Sequence, residues 1–141
     1  MSEPPIDDLT ELVIGCAIAV HTAFGPGLLE SIYRDCLLIE LTLAGLQVSR
    51  EHPVPVVYRG QRVRGDLRLD LLVDGRLVVE VKATDRPHSV YQAQVITYLT
   101  LTDCPAGLLL NFNAPSMRAG VKRLDHPTIY AKKQAAKRAR R

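Results

Sequence analysis

Residues 68–83 read RLDLLVDGRLVVEVKA, and this stretch decides how the whole sequence is interpreted. Its two halves are rich in Leu and Val, which is typical of β-strands that line a core, and the central Asp-Gly pair is a turn signal. The same strands nevertheless carry Asp70, Glu80 and Lys82. Because burying a charge is costly unless the charge is paired or binds a metal, these three residues need an explanation.

Alternation along the two strands separates an apolar face from a charged face. Successive strand residues point to opposite sides of a sheet, so the Leu and Val residues at odd positions face one side, and Asp70, Glu80 and Lys82 face the other. Directly opposed residues of an antiparallel hairpin share a face, so a two-residue turn would oppose apolar and charged positions. We therefore predict a three-residue loop, or a bulge, with Gly75 in the left-handed conformation.

Two interpretations of the charged face remain open at this point. Two carboxylates and an ammonium on one face can bind a divalent metal such as Mg²⁺, which prefers oxygen ligands and can lower the pKa of a bound water. A neighbouring lysine can then orient that water or balance developing negative charge. The alternative is a surface ion-pair network in which Glu80 and Lys82 bridge to Asp70 and Arg68.

Composition indicates one compact domain without a membrane span. The chain has 141 residues, 47% of them hydrophobic and 23% charged, which suits a single globular core. No apolar run is long enough to cross a bilayer, and the acidic start of the chain is unlike a signal peptide. Cys16, Cys36 and Cys104 lack metal-ligand spacing, so we expect reduced thiols in a cytoplasmic protein.

The order of predicted elements favours an α/β fold with a central mixed β-sheet flanked by helices. Asp7 or Asp8 is expected to cap a first helix that ends near Phe24, where Gly25-Pro26-Gly27 breaks it. The hydrophobic pattern then predicts the following elements: a helix over about 28–44, strands over about 47–50, 54–59, 63–73 and 76–83, a helix over about 89–101, a buried strand over 107–112 and an edge strand over about 120–124.

The last ten residues form a basic tail. They hold six of the 18 Lys and Arg residues and no acid, so the rest of the chain is slightly acidic. We expect one domain over residues 1–131, followed by a flexible basic tail over residues 132–141. Such a tail suits a polyanionic partner, although a merely solubilising tail explains the composition equally well.

The charged hairpin resembles the motif of the PD-(D/E)XK nuclease superfamily, with Asp70, Glu80 and Lys82 spaced as D-x₉-E-x-K. The later QVITY segment, residues 94–98, is similar to the Q-x-x-x-Y motif of its RecB-like branch. The segment VHTAFGPGLLESIY, residues 20–33, looks like the signature of the GxxExxY proteins, and the resemblance extends over about residues 9–125. It implies a restriction-endonuclease-like fold in a single domain and phosphodiester hydrolysis of DNA or RNA.

The resemblance also implies roles for individual residues. Asp70 and Glu80 would bind Mg²⁺ or Mn²⁺ together with the backbone carbonyl of Val81, and Lys82 would position the attacking water. Three further residues would assist: Glu30 from the second helix as a further metal ligand, direct or through water, and Gln94 and Tyr98 beside Lys82 or a substrate phosphate. Nucleases of this size often need further subunits for substrate binding, so the resemblance also admits a homo-oligomer or a protein partner.

One departure from the family pattern keeps other functions open. The QVITY helix is usually preceded by His-Glu-Ala, where this chain has Tyr91-Gln92-Ala93. A nuclease-fold module that binds nucleic acid without cleaving it would show salt-sensitive binding that is lost on deletion of residues 132–141. A protein-interaction scaffold would bind neither metal nor nucleic acid. Glu30, one turn into its helix, also has a simpler explanation, because acids there are favoured by the helix dipole.

Overall fold

The computed structural model describes residues 3–65, 67–86 and 88–140. The main sheet has five strands in the order β1-β4-β5-β6-β7, with β5 and β6 parallel and the other neighbours antiparallel. This arrangement confirms the predicted α/β fold with a mixed central sheet. The elements are α1 (Ile6–Phe24), α2 (Glu30–Leu43), β1 (Val48–Val54), β2 (Val57–Tyr58), β3 (Gln61–Arg62), β4 (Leu67–Val73), β5 (Leu77–Lys82), α3 (Ser89–Thr102), β6 (Ala106–Asn111), α4 (Met117–Gly120), β7 (Val121–Asp125) and α5 (Pro127–Ala139).

The helix break after α1 is confirmed, but the predicted cap of α1 is wrong. The N-cap residue is Pro5, and Asp7 and Asp8 lie within the first helical turn, where their charges still interact favourably with the helix dipole. At the other end, Gly25 and Gly27 have φ values of 65° and 114°. These left-handed conformations favour glycine and explain why the chain turns there before α2.

The loop between β4 and β5 has the predicted length. Val73 pairs with Leu77, so three residues form the connection, and Gly75 has a φ of 68°. Asp74, with a φ of 51°, is left-handed as well. The register therefore opposes odd positions with odd positions, as the hydrophobic pattern required.

The connection between β1 and β4 differs from the prediction. Instead of two long strands with a turn at Gly60-Gln61, the chain forms a separate two-stranded sheet of β2 and β3. Its turn lies one residue earlier, at Arg59 and Gly60, where φ is 50° and 76°. Two successive left-handed residues match a two-residue hairpin loop, and Arg59 gave no sequence signal for that conformation.

Two apolar clusters cover the two faces of the sheet. One joins α1 and α2 to the odd positions from Leu71 onward, for example Leu71 and Val79. Leu67 and Leu69 pack in the other cluster, so the prediction that all odd positions of β4 share one face is wrong beyond Asp70. The other joins α3 to Leu72 and Val78, so the even face is also buried at this end of the strands. Gly107 of β6 allows α3 to approach closely, because a Cβ there would lie 2.7 Å from Val95 Cγ1.

Three further findings bear on the expectations from composition. Cys16, Cys36 and Cys104 are free thiols, and the first and last are buried. Residues 132–139 of the basic segment are helical as part of α5, none of whose residues is buried. Among the described residues, no helix combines the length and apolar character needed to cross a membrane.

Candidate active site

The β4–β5 pair changes character at Asp70. Backbone pairing extends from the loop as far as Leu71 and Val79. Beyond it, the N–H of Asp70 donates to Glu80 Oε1 at 3.0 Å, and the N–H of Val81 donates to Asp70 Oδ2 at 2.8 Å. Two side-chain carboxylates thus accept hydrogen bonds from backbone donors of the two strands, which brings both acids to the same point between them.

Glu80 is the buried member of the acidic pair. It is only 7% exposed, while Asp70 is half-buried. Burial, followed by the negative charge of Asp70, raises the pKa of Glu80 to about 8, although the nearby ammonium of Lys82 acts in the opposite direction. A carboxyl group that is hard to ionise, next to a second carboxylate, is typical of a site that needs an additional cation.

Arg34 and Glu51 are neighbours of Asp70 that the sequence interpretation missed. The register of β1 against β4 places Glu51 opposite Asp70. Arg34 of α2 lies between the two acids, with its Nη1 3.5 Å from Asp70 Oδ1 and its Nη2 3.6 Å from Glu51 Oε1. These distances exceed those of charge-assisted hydrogen bonds, so the arginine forms loose ion pairs. Helical spacing could have indicated Arg34, because it follows Glu30 by four residues.

Lys82 ends β5 beside a small cavity. Its ammonium lies 4.7 Å from the centroid of the Tyr91 ring, a distance that suits a cation–π contact. Both residues line a cavity of about 160 Å³ together with Asn111 and His88. Tyr91 belongs to the Tyr91-Gln92-Ala93 segment in which the sequence departs from the expected pattern, and it places an aromatic ring against the lysine.

The two α3 residues predicted for the site differ in their surroundings. Burial raises the pKa of the Tyr98 hydroxyl, and the charges of Glu80 and then Asp70 raise it further, so this hydroxyl lies within range of the acidic pair. Gln94 is exposed one turn earlier. Within the described part of the chain, its side chain makes no hydrogen bond to Lys82 or to the acids, so the structure does not bring it to them.

Glu30 and Tyr33, two residues of the segment that resembles the GxxExxY signature, have separate environments. Glu30 is exposed at the start of α2, one turn before Arg34, and it forms no cluster with Asp70 and Glu80. Tyr33 is fully buried, stacks on Phe112 at 4.6 Å and donates its hydroxyl hydrogen to the carbonyl of Gly25. The tyrosine therefore packs in the core, and its hydroxyl holds the loop before α2 in place.

The donor set at this point fits a hard divalent cation. Asp70 and Glu80 supply carboxylate oxygens, and Mg²⁺ is commonly bound by only one or two carboxylates with water and phosphate completing its shell. Across residues 3–65, 67–86 and 88–140, no group of three or more His, Cys, Asp or Glu side chains converges as a metal site. A metal held by the acidic pair would take its remaining ligands from solvent, from the Val81 carbonyl or from substrate.

Comparison with known families agrees with this geometry. The family model described as the PD-(D/E)XK nuclease superfamily matches residues 7–124, a range that includes every element from α1 to β7 at least in part. Searches of curated proteins and of solved structures each gave no significant match. The α/β architecture and the Asp-Glu-Lys hairpin are both consistent with the matched family.

Proposed function

Because the chain belongs to the PD-(D/E)XK nuclease superfamily, we propose that it is a metal-dependent nuclease that hydrolyses phosphodiester bonds of DNA or RNA. The observation that carries the proposal is the convergence of the Asp70 and Glu80 carboxylates where β4 and β5 stop pairing. Nucleases of this superfamily generally use divalent metal ions and act on nucleic acid. The finer assignments below, to Mg²⁺ or Mn²⁺ and to individual residues, are part of the proposal.

Asp70, Glu80 and the carbonyl of Val81 are the proposed metal ligands. When bound, Mg²⁺ or Mn²⁺ supplies a water of lowered pKa and stabilises charge on the phosphoryl oxygens. The hydrogen bonds from the backbone N–H groups of Asp70 and Val81 hold one oxygen of each carboxylate in place. Fixed ligands of this kind lower the cost of organising the site during reaction.

Lys82 is the proposed water-orienting residue. Its positive charge favours the ionised form of Glu80, and its ammonium lies 4.7 Å from the centroid of the Tyr91 ring. Tyr98 is proposed to hydrogen-bond the acidic pair or a substrate phosphate. Gln94 and Glu30 are exposed on α3 and α2, and their proposed role is contact with the phosphate backbone of a bound substrate. For Glu30, metal binding through water is a second proposed role.

A cleavage assay with a matched lysine control tests this function. Purified protein is incubated with plasmid DNA, single-stranded DNA and RNA in Mg²⁺, in Mn²⁺ and in EDTA. We expect metal-dependent cleavage of at least one substrate, lost in EDTA and reduced about 100-fold or more by Lys82→Met. Lys122→Met, an exposed lysine on β7, is expected to cleave as the wild type does. Absence of cleavage under every condition would instead favour a nuclease-fold module without turnover.

A further inference from the structure

The β2–β3 hairpin is a separate structural element at the edge of the molecule. β2 pairs with β3 through Val57–Arg62 and Tyr58–Gln61 contacts, and neither strand joins the five-stranded sheet. We call residues 57–65 the arginine hairpin. All nine residues are exposed, so the hairpin lies outside both apolar clusters. An isolated two-stranded hairpin is at best marginally stable in water, and core packing does not explain why this one exists.

The exposed side chains of the arginine hairpin are of two kinds. Val57 and Tyr58 are adjacent in the chain and are 58% and 66% exposed. Arg59, Arg62 and Arg64 carry three positive charges, and the nine residues include no acid. Among the described residues, no carboxylate forms an ion pair with these arginines, while Arg59 lies over the Tyr58 ring at 5.9 Å.

The chemistry of this surface matches the phosphate backbone of nucleic acid. Arginine presents a planar fork of N–H donors that suits phosphate oxygens. Three arginines within residues 59–64, with Asp66 the first acid to follow them in the sequence, provide the electrostatic attraction that dominates binding to DNA. An exposed tyrosine beside an arginine can also stack on a base or sugar.

The arginine hairpin stands at the end of the sheet that carries the acidic pair. It connects β1 to β4, and β4 begins only three residues before Asp70, a distance of about 10 Å along a strand. Since β5 is antiparallel to β4, Lys82 lies at the same end of the sheet. A nucleic acid held by the hairpin would therefore pass close to Asp70, Glu80 and Lys82.

We propose that the arginine hairpin is the substrate-holding element of this nuclease and that it takes duplex DNA. The proposal rests on the proposed function for its substrate class. A two-stranded β-ribbon fits the major groove of B-form DNA, which is about 12 Å wide, whereas the major groove of A-form RNA is too narrow. The arginines then contact phosphates on the groove walls, and the scissile bond lies at the acidic pair.

Binding measured without turnover tests this proposal separately from catalysis. The full chain with Asp70→Asn is titrated in EDTA into a fluorescently labelled DNA duplex, and the affinity is followed over a salt series by anisotropy. The triple variant R59Q/R62Q/R64Q, in the same background, is expected to bind at least about 10-fold more weakly and to lower the salt-dependence slope by about 2 to 3, because each lost phosphate contact lowers it by about 0.9.

A charge-matched variant on α5 serves as the control. K137Q/R138Q/R140Q removes three equally exposed charges from the basic helix, and it is expected to change the slope by less than the hairpin variant does. Single Arg62→Gln and Arg64→Gln variants, each expected to lower the slope by about 1, repeat the test should the triple variant unfold. Unchanged binding by the hairpin variants, or a larger loss from the α5 variant, would overturn the assignment.

A duplex RNA of the same sequence tests the choice of substrate. We expect weaker binding to this RNA and a smaller difference between the parent and the hairpin variant. Equal affinity for both duplexes would overturn the major-groove placement. These binding measurements use the Asp70→Asn variant without metal, so their result does not depend on whether the wild type cleaves nucleic acid. If the hairpin variants bind as the parent does, the hairpin proposal fails, and the catalytic proposal is still tested by the cleavage assay.

Discussion

The two ends of the β4–β5 pair are made from the same strands but differ in what holds them together. Near the loop, Leu71 and Val79 are paired through their backbones, and both are fully buried. At the opposite end, the ladder gives way to two carboxylates that accept from the N–H groups of Asp70 and Val81. One end is an ordinary sheet, and the other end is a sheet whose pairing is interrupted by acids.

The difference shows where stability and chemistry are located. The loop end buries apolar surface on both faces of the sheet, so it contributes strongly to folding. The acidic end keeps a buried carboxyl group beside another carboxylate, which opposes folding once both are ionised. Such local instability is common at functional sites, and each prediction below separates the two ends by a paired set of variants.

The largest expected difference concerns cleavage by two conservative acid variants. Asp70→Asn retains an oxygen for the Val81 N–H but removes a charge, so we expect cleavage to fall about 100-fold or more. Asp74→Asn makes the same change at the loop end, where Asp74 accepts from the Gln47 N–H at 2.8 Å, and cleavage is expected to stay near the wild-type rate. Initial rates of plasmid cleavage measure both, and equal losses would contradict a special role for the acidic end.

The second prediction concerns stability at the loop end. Leu71→Ala removes a fully buried side chain, and we expect it to lower the free energy of unfolding by about 2–5 kcal/mol. Leu29→Ala, at a position 69% exposed, is expected to change it by less than about 0.5 kcal/mol. Urea titrations followed by circular dichroism compare the two. A small effect of Leu71→Ala would mean that the loop end is not the stable part of the hairpin.

The third prediction uses pH to detect the buried carboxyl group of Glu80. Its pKa is about 8 in the folded chain, above the ordinary value of 4.5, so the unfolded state loses this proton first as pH rises. The contribution of Glu80 to the free energy of unfolding therefore decreases as the pH rises from about 4.5 to about 8, and it stays low at higher pH. Glu80→Gln cannot ionise, and its Oε1 can still accept from the Asp70 N–H.

Metal-free urea titrations at a series of pH values check the Glu80 prediction. As the pH rises from 5 to 8, the free energy of unfolding of Glu80→Gln is expected to increase relative to that of the wild type. The total increase is expected to be a few kcal/mol, since one pKa unit corresponds to about 1.4 kcal/mol. Below about pH 4.5 the two proteins are expected to have similar stability. Parallel curves across the whole range would show that burial of Glu80 has no energetic consequence for folding.

The smallest effect concerns the loop that sets the register. Gly75→Ala places a Cβ at a φ of 68° and is expected to cost about 1 kcal/mol. Gly15→Ala, in the middle of α1 where an added Cβ would lie in open space, is expected to stabilise by about 0.5–1 kcal/mol. Thermal melts of the two variants check the sign. Opposite shifts support a left-handed requirement at Gly75, and equal shifts would contradict it.

The features predicted correctly from the sequence were those with local patterns. Alternation of apolar residues in β4 and β5 was enough to give the three-residue loop, although it assigned Leu67 and Leu69 to the wrong face. The break at Gly25-Pro26-Gly27 and the helix that carries Tyr98 also followed from local signals. In each case the residues that carry the pattern are close in sequence, so short-range rules sufficed.

The features missed from the sequence depend on long-range contacts or on unusual backbone conformations. Arg34 reaches Asp70 and Glu51 only because α2 packs against this end of the sheet. The contact of Lys82 with Tyr91 depends on the approach of α3. The β2–β3 hairpin was predicted as longer strands because its turn requires a left-handed arginine at position 59, which residue type alone does not indicate. The expected aspartate cap of α1 was wrong because the helix already begins at Ile6, with Pro5 at the N-cap and no side-chain cap.

The central claim, that Asp70 and Glu80 together bind a divalent metal, is tested most directly by anomalous diffraction from crystals soaked in Mn²⁺. We predict a manganese peak in contact with a carboxylate oxygen of each residue in the wild type, and loss of that peak in Asp70→Asn crystals soaked identically. A wild-type crystal with no peak between the two acids, or with manganese bound only at exposed carboxylates elsewhere, would contradict the claim.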